Sequence, residues 1–259
     1  MNINSTNFRF FTLRVFRKSL KTYSSIFLAL PLAISLLACK TSDLNRISQT
    51  LQQTQQPLDN KTVVAGLKQA LEVSTDNSVK RSSKQGGFSD NPHIRILIPQ
   101  ELHKVESSLK KIGLGRYVDR FEIQMNRSAE SASKEAKKIF IHSITQMTFS
   151  DAWKILRGKD DEATQYFKRT TSAHLTNKFK PIIKHSMKKV GFYKDYRKLL
   201  KTYQSIPFTR KPDLDIENYI LQKTLDGLFT LLAQEERKIR HAPAARVTEL
   251  LRQVFGSQH

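Results

Sequence analysis

Apolar side chains recur at intervals of three and four along most of the chain from about residue 61. Ala136, Ile139, Phe140, Ser143, Ile144 and Met147 fall at i, i+3, i+4, i+7, i+8 and i+11, one stripe of an amphipathic helix. Leu221, Leu225, Leu228 and Leu232 repeat the pattern, as do Ala163, Phe167, Thr170, His174 and Leu175. Such stripes are read as core, and they predict an all-α, multi-helix bundle. Punctuation agrees with this reading. Thr148 and Asp151 have the spacing of a capping box, and Gly158 suits the end of that short helix. Asp160, Asp161 and Glu162 then place negative charge at the positive end of the next helix. Gly191 closes a helix after Val190. Pro181 falls inside a periodic run and predicts a kink or restart. Pro243 suits the first position of a last helix.

One stretch breaks the period. Residues 84–91 are rich in Gly, Ser and polar side chains. Residues 94–98 (Ile-Arg-Ile-Leu-Ile) lie between Pro92 and Pro99 and predict an extended backbone. No partner strand is visible, so the bundle is expected to carry one short extended segment packed on helices.

The N-terminus follows a different pattern. It is basic, lacks acids, and leads into a 13-residue apolar stretch over residues 26–38. A bilayer span needs about 20 apolar residues, so the stretch fits a secretory signal. It ends in Leu36-Leu37-Ala38-Cys39, which resembles the lipobox of bacterial lipoproteins. The expected organisation is a signal peptide over 1–38, lipidated Cys39 and a polar, Gln-rich tether over 39–60, and a single helical domain over 61–259. Lys40 is not the Asp that resembles an inner-membrane retention signal. The outer membrane, with the domain facing the periplasm, is the expected location. Two or more acyl chains anchor stably where one does not.

Charge changes the picture further. The whole chain carries +21. Removing residues 1–38 takes away five basic side chains and leaves 39 basic against 23 acidic, a net +16. Residues 165–212 hold 13 basic side chains and one acid, Asp195. Lys180, Lys184 and Lys188 form one helical stripe, with Lys178, Lys194 and Arg197 nearby. Phe179, Phe192, Tyr193, Tyr196 and Tyr203 are interleaved. A basic helix with an apolar opposite face suits an anionic membrane surface or ligand. Nucleic acid would fit the charge, but export argues against it. A solvated face that only confers solubility is the bland alternative.

Familiar catalytic signatures are absent: no Walker loop, dinucleotide fingerprint, zincin pair or nucleophile elbow. Cys39 is the only cysteine, so no intramolecular disulfide can form. His174 and His185, eleven residues apart on helical sequence, stand about 16 Å from each other and cannot share a metal. His174 reads as a hydrogen-bonded core residue. No metal or cofactor is expected. Two polar groupings remain. Asn126, Arg127 and Glu130 are spaced to form one hydrogen-bonded cluster on a helix. Glu235, Glu236 and Arg240, with Arg246 after a loop, read either as acid–base machinery or as interhelical ion pairs. The ion-pair reading is preferred.

Over roughly residues 61–256 the chain resembles a bacterial family catalogued as domain of unknown function 4197. The resemblance rests on Asn91 to Ile96, on Met125-Asn126-Arg127 with Glu130, and on residues 144–152 with Met147, Thr148 and Asp151. It continues through Ile155 to Gly158, residues 163–167, Asp226 to Phe229, and Glu235 to Arg246. It implies a mostly helical envelope protein, often with a lipoprotein signal, and no known activity. The family pattern includes Asn126, Arg127, Asp151, Tyr166 and Glu235. Ala242 departs from it, standing where an Asp would cap the last helix.

Three functional expectations follow. The first is a non-enzymatic lipoprotein, held at the membrane through Cys39, that binds anionic lipid or lipopolysaccharide through the basic surface. The second is an envelope hydrolase or transferase using Glu130, Asp151, Glu235 or Glu236, with Arg127 or Arg240 holding an anion. The third is a structural or assembly partner of another envelope protein.

Overall fold

Four long helices form the centre of the protein because each carries an apolar stripe that only a neighbour can cover. The computed structural model describes residues 59–256 apart from 208, 210 and 211. The helices are α1 (Asn60–Ser83), α2 (His103–Lys111), α3 (Gly115–Ser133), α4 (Ala136–Thr145), α5 (Phe149–Arg157), α6 (Glu162–Lys189), α7 (Phe192–Gln204), α8 (Ile216–His241) and α9 (Glu249–Gly256). Helix α8 packs on α1, α3 and α6, and α3 packs on α1 and α6. Around these four, α4 bridges α1 and α6, α9 lies on α1, and α2 and α7 pair beside α3. The protein is all-α, with no β-strand among the described residues. None of the described helices is long and apolar enough to cross a membrane. The signal, Cys39 and nearly all of the tether lie outside the described residues.

Local chemistry sets the helix ends. Asp59 accepts from the N–H groups of Lys61 and Thr62 and starts α1. At α5 the capping box forms as expected: Thr148 Oγ1 accepts from Asp151 N–H at 3.1 Å, and Asp151 Oδ2 accepts from Thr148 N–H at 3.1 Å. Gly158 closes α5. Gly191, at φ 75°, supplies the left-handed turn between α6 and α7.

Three expectations need correction. Helix α6 does not restart at Pro181 but continues as one helix over 28 residues; Phe179 and Ile183, both buried, hold it in the core on either side of the lost hydrogen bond. Pro243 opens a short 3-10 turn rather than the last helix, which begins at Glu249 behind Thr248, whose Oγ1 accepts from Leu251 N–H. His174 and Thr170 are exposed rather than core, because they lie one step around α6 from the buried Phe167, Thr171 and Leu175.

The aperiodic stretch is ordered by side chains. Ile94, Ile96 and Ile98 are buried while Arg95 and Leu97 face outward, the alternation of a strand. No strand pairs with it. Instead Asn126 Oδ1 accepts from Ile96 N–H at 2.8 Å and Asn126 Nδ2 donates to Ile96 O at 2.9 Å. Tyr219 Oη donates to Leu97 O, and His103 Nε2 to Ile98 O. Upstream, Gly87 sits so close to the last carbonyls of α1 that a Cβ would meet Arg81 O at 2.4 Å.

Candidate functional site

The polar residues singled out from sequence do not share one site. Asn126 is fully buried and clamps Ile96. Glu130, four residues on, accepts from Phe88 N–H at 3.1 Å. Arg127, between them, is exposed. The three residues therefore form no mutual cluster: α3 turns Asn126 and Glu130 toward different points on the same clamped segment. Burial pushes the Glu130 carboxyl above the usual range, against the opposing pull of the Phe88 and Ser89 N–H groups and Arg127.

Glu235 and Glu236 are adjacent but face different helices. Glu235 accepts from Asn77 Nδ2 at 2.9 Å, Arg81 Nη1 at 3.0 Å and Lys238 Nζ at 2.7 Å, which ties α8 to the end of α1. Burial would raise its carboxyl, but the hydrogen bonds from Lys238 and Asn77 and the charges of Lys238 and Arg81 outweigh it and hold the group below the usual range. Glu236 accepts from the N–H groups of Ala163 and Thr164, each at 2.9 Å, and from Thr164 Oγ1. These are among the orphan donors at the start of α6, where Asp161 makes no side-chain cap. Arg240 Nη2 bonds Glu236 at 3.0 Å and donates to Ile155 O at 2.8 Å near the end of α5. Arg246, also buried, donates to Ile239 O and Arg240 O at the end of α8.

Tyr166 does the same for α4. Its hydroxyl donates to Ser143 O at 3.1 Å, a last-turn carbonyl without a helical partner. Burial raises the Tyr166 pKa, so the donor stays protonated. Asp151 completes the box at the start of α5. The buried members of both groupings therefore cap helix ends or clamp a loop. Glu130, Asp151, Glu235 and Glu236 stand at four separate contacts, so the paired-carboxylate arrangement expected of the enzyme reading does not form. No set of three metal-ligating side chains gathers among the described residues.

The basic residues are different: Lys178, Lys180, Lys184, Lys188, Lys194 and Arg197 are all exposed. Lys180, Lys184 and Lys188 make no ion pair among the described residues, and Lys178 reaches Glu135 only at 3.9 Å. Of the interleaved aromatics only Tyr193 and Tyr196 are partly exposed. Phe179, Phe192 and Tyr203 are buried, and Phe192 stacks on Phe121 with centroids 4.6 Å apart. Helix geometry explains it: Phe179, Phe192 and Tyr203 lie on the core stripe, while Tyr193 and Tyr196 are half-buried at its edge.

Sequence reasoning missed a cleft of about 510 Å³ between α4 and α6. Lys138 and His142 border it from α4, Tyr166, Thr170 and His174 from α6, and Asp151 from α5. The i, i+4 spacing of the α4 pair and of the α6 trio was the available signal; that the two rows face each other is a tertiary fact.

The chain is an all-α protein whose buried polar side chains cap helix ends and clamp one extended segment. The model of the protein family of unknown function DUF4197 matches residues 57–256, and the chain belongs to that family. No curated protein and no solved structure matches the chain.

Proposed function

We propose that this protein is a lipid-anchored envelope lipoprotein that binds an anionic envelope component, such as lipid headgroups or lipopolysaccharide phosphates, through the exposed face of α6 and α7. The single observation that supports it is the row of Lys180, Lys184 and Lys188, exposed and without ion-pair partners among the described residues. Charges that serve the fold are usually paired, as at Glu235 and Glu236; this row is not. Each Lys near an anionic surface contributes about 1 kcal/mol. The contact is chiefly electrostatic, since Phe179, Phe192 and Tyr203 are core and only Tyr193 and Tyr196 reach the surface in part. The test is flotation of residues 40–259 with neutral and anionic liposomes and with lipopolysaccharide across a salt series. Binding that weakens with salt, and that Lys180→Glu, Lys184→Glu and Lys188→Glu together abolish, supports the reading. Binding unchanged by the triple substitution, or no binding at all, sinks it.

A further inference from the structure

The cleft between α4 and α6 has a polarity that follows from proton accounting. Each hydroxyl has one proton to donate. Tyr166 gives its proton to Ser143 O at 3.1 Å. Thr170 gives its own to Tyr166 O at 2.9 Å. The 2.7 Å bond between Ser143 Oγ and Thr170 Oγ1 must then use the Ser143 proton. All three hydroxyls are spent as donors, so toward the cleft they offer only lone pairs. Asp151 adds another acceptor: its Oδ2 is engaged by Thr148 N–H and Oγ1, and its Oδ1 takes no part in that box.

The rim is opposite in character. Lys138, His142 and His174 are exposed, border the cleft and make no ion pair among the described residues. Their nitrogens, with the exposed Gln146 amide, supply donors to the site. Ile139, half-buried, supplies an apolar wall beside them. The space between holds far more than one water, whose share of liquid volume is about 30 Å³.

We infer that this cleft is a binding site for a phosphorylated saccharide, with ligand hydroxyls donating to the Ser143, Thr170 and Tyr166 oxygens and the phosphate held by Lys138, His142 and His174. A simple anion would leave the acceptor oxygens of the floor unused, and a neutral sugar would leave the three basic side chains without a charge to meet. An apolar ligand would strand both. The inference does not rest on Lys180, Lys184 and Lys188, none of which lines the cleft.

Glucose 6-phosphate, inorganic phosphate and glucose serve as probes, titrated calorimetrically into the full-length protein in neutral detergent. Glucose 6-phosphate is expected to bind saturably and more tightly than either of the others. His174→Glu with Lys138→Glu, both at exposed positions, should weaken it about tenfold or more through loss of charge-assisted hydrogen bonds. Thr170→Val should lower affinity for glucose 6-phosphate while leaving that for phosphate unchanged, and Thr170→Ser should restore it. The Lys180, Lys184 and Lys188 triple substitution should leave the binding intact. Equal affinity for phosphate and glucose 6-phosphate overturns the saccharide assignment. No saturable binding, or equal loss in the triple variant, overturns the site.

Discussion

Asn126 pairs with Ile96 as a neighbouring strand would, accepting from its N–H at 2.8 Å and donating to its carbonyl at 2.9 Å. One side-chain amide thus substitutes for a sheet and holds an extended segment inside an all-helical protein. Asn126→Ala would leave both buried backbone groups unpaired. The expected loss is about 2–4 kcal/mol in urea denaturation, together with faster hydrogen exchange at the Ile96 amide. Unchanged exchange at Ile96 would show that the clamp is not needed.

Glu236 and Arg240 should behave as one unit. Glu236→Ala strips the start of α6 of its acceptor and leaves Arg240, whose side chain is only 10% exposed, without its partner. Removing one member of a buried pair costs about 3–5 kcal/mol. The double variant Glu236→Ala, Arg240→Ala should cost less than the sum of the singles, since neighbours in one network are not additive. Additive losses in the four-variant cycle would refute the coupling.

Glu130 and Glu235 should shift stability with pH in opposite senses. Burial raises the folded-state pKa of Glu130 above 4.5. Its contribution is therefore fully present below that value and is lost as pH rises through the folded pKa. Glu130→Gln, which keeps an acceptor for Phe88 N–H, should gain on the parent protein as pH climbs from 4.5 toward neutrality. For Glu235 the folded pKa lies below 4.5. Its stabilisation is present above that value and is lost as pH falls through the folded pKa, so Glu235→Gln should be worse than the parent at neutral pH and approach it in acid. Urea midpoints across pH read both curves; parallel curves for parent and variants would contradict the assignments.

Gly227 lies where α8 meets the clamped segment. A Cβ there would stand 2.7 Å from Phe88 Cε1 and 3.2 Å from Ile94 Cβ. Gly227→Ala gains about 1 kcal/mol in helix propensity but meets an overpacking cost of about 1–3 kcal/mol. Net destabilisation is expected in thermal melts, relieved when Phe88→Leu makes room. A more stable Gly227→Ala would mean that Phe88 shifts without cost.

Much of the fold was legible because periodicity and caps are local. The stripes through Phe140 and Leu228, the Thr148–Asp151 box and the turn at Gly191 depend on residues within a few positions of each other. The restart expected at Pro181 did not occur for the opposite reason: Phe179 and Ile183 are held in the core by contacts from distant helices. His174 misled because a stripe read from spacing has no sharp edge, and one step of about 100° separates buried Leu175 from exposed His174.

The candidate sites divide along the same line. Exposure of Lys180, Lys184 and Lys188 follows from their register on one helix. The work of Asn126, Glu130, Glu236, Arg240 and Tyr166 does not, because each satisfies a backbone group on another element, up to 85 positions away in the case of Arg240 and Ile155. By itself the sequence determined the helical class, most helix ends, the family and the basic face, all set by near neighbours. Only the tertiary structure decided which polar residues cap which helix, and that α4 and α6 leave a cleft between them. An unpaired backbone group has no sequence signature of the side chain that will reach it; packing alone brings the two together.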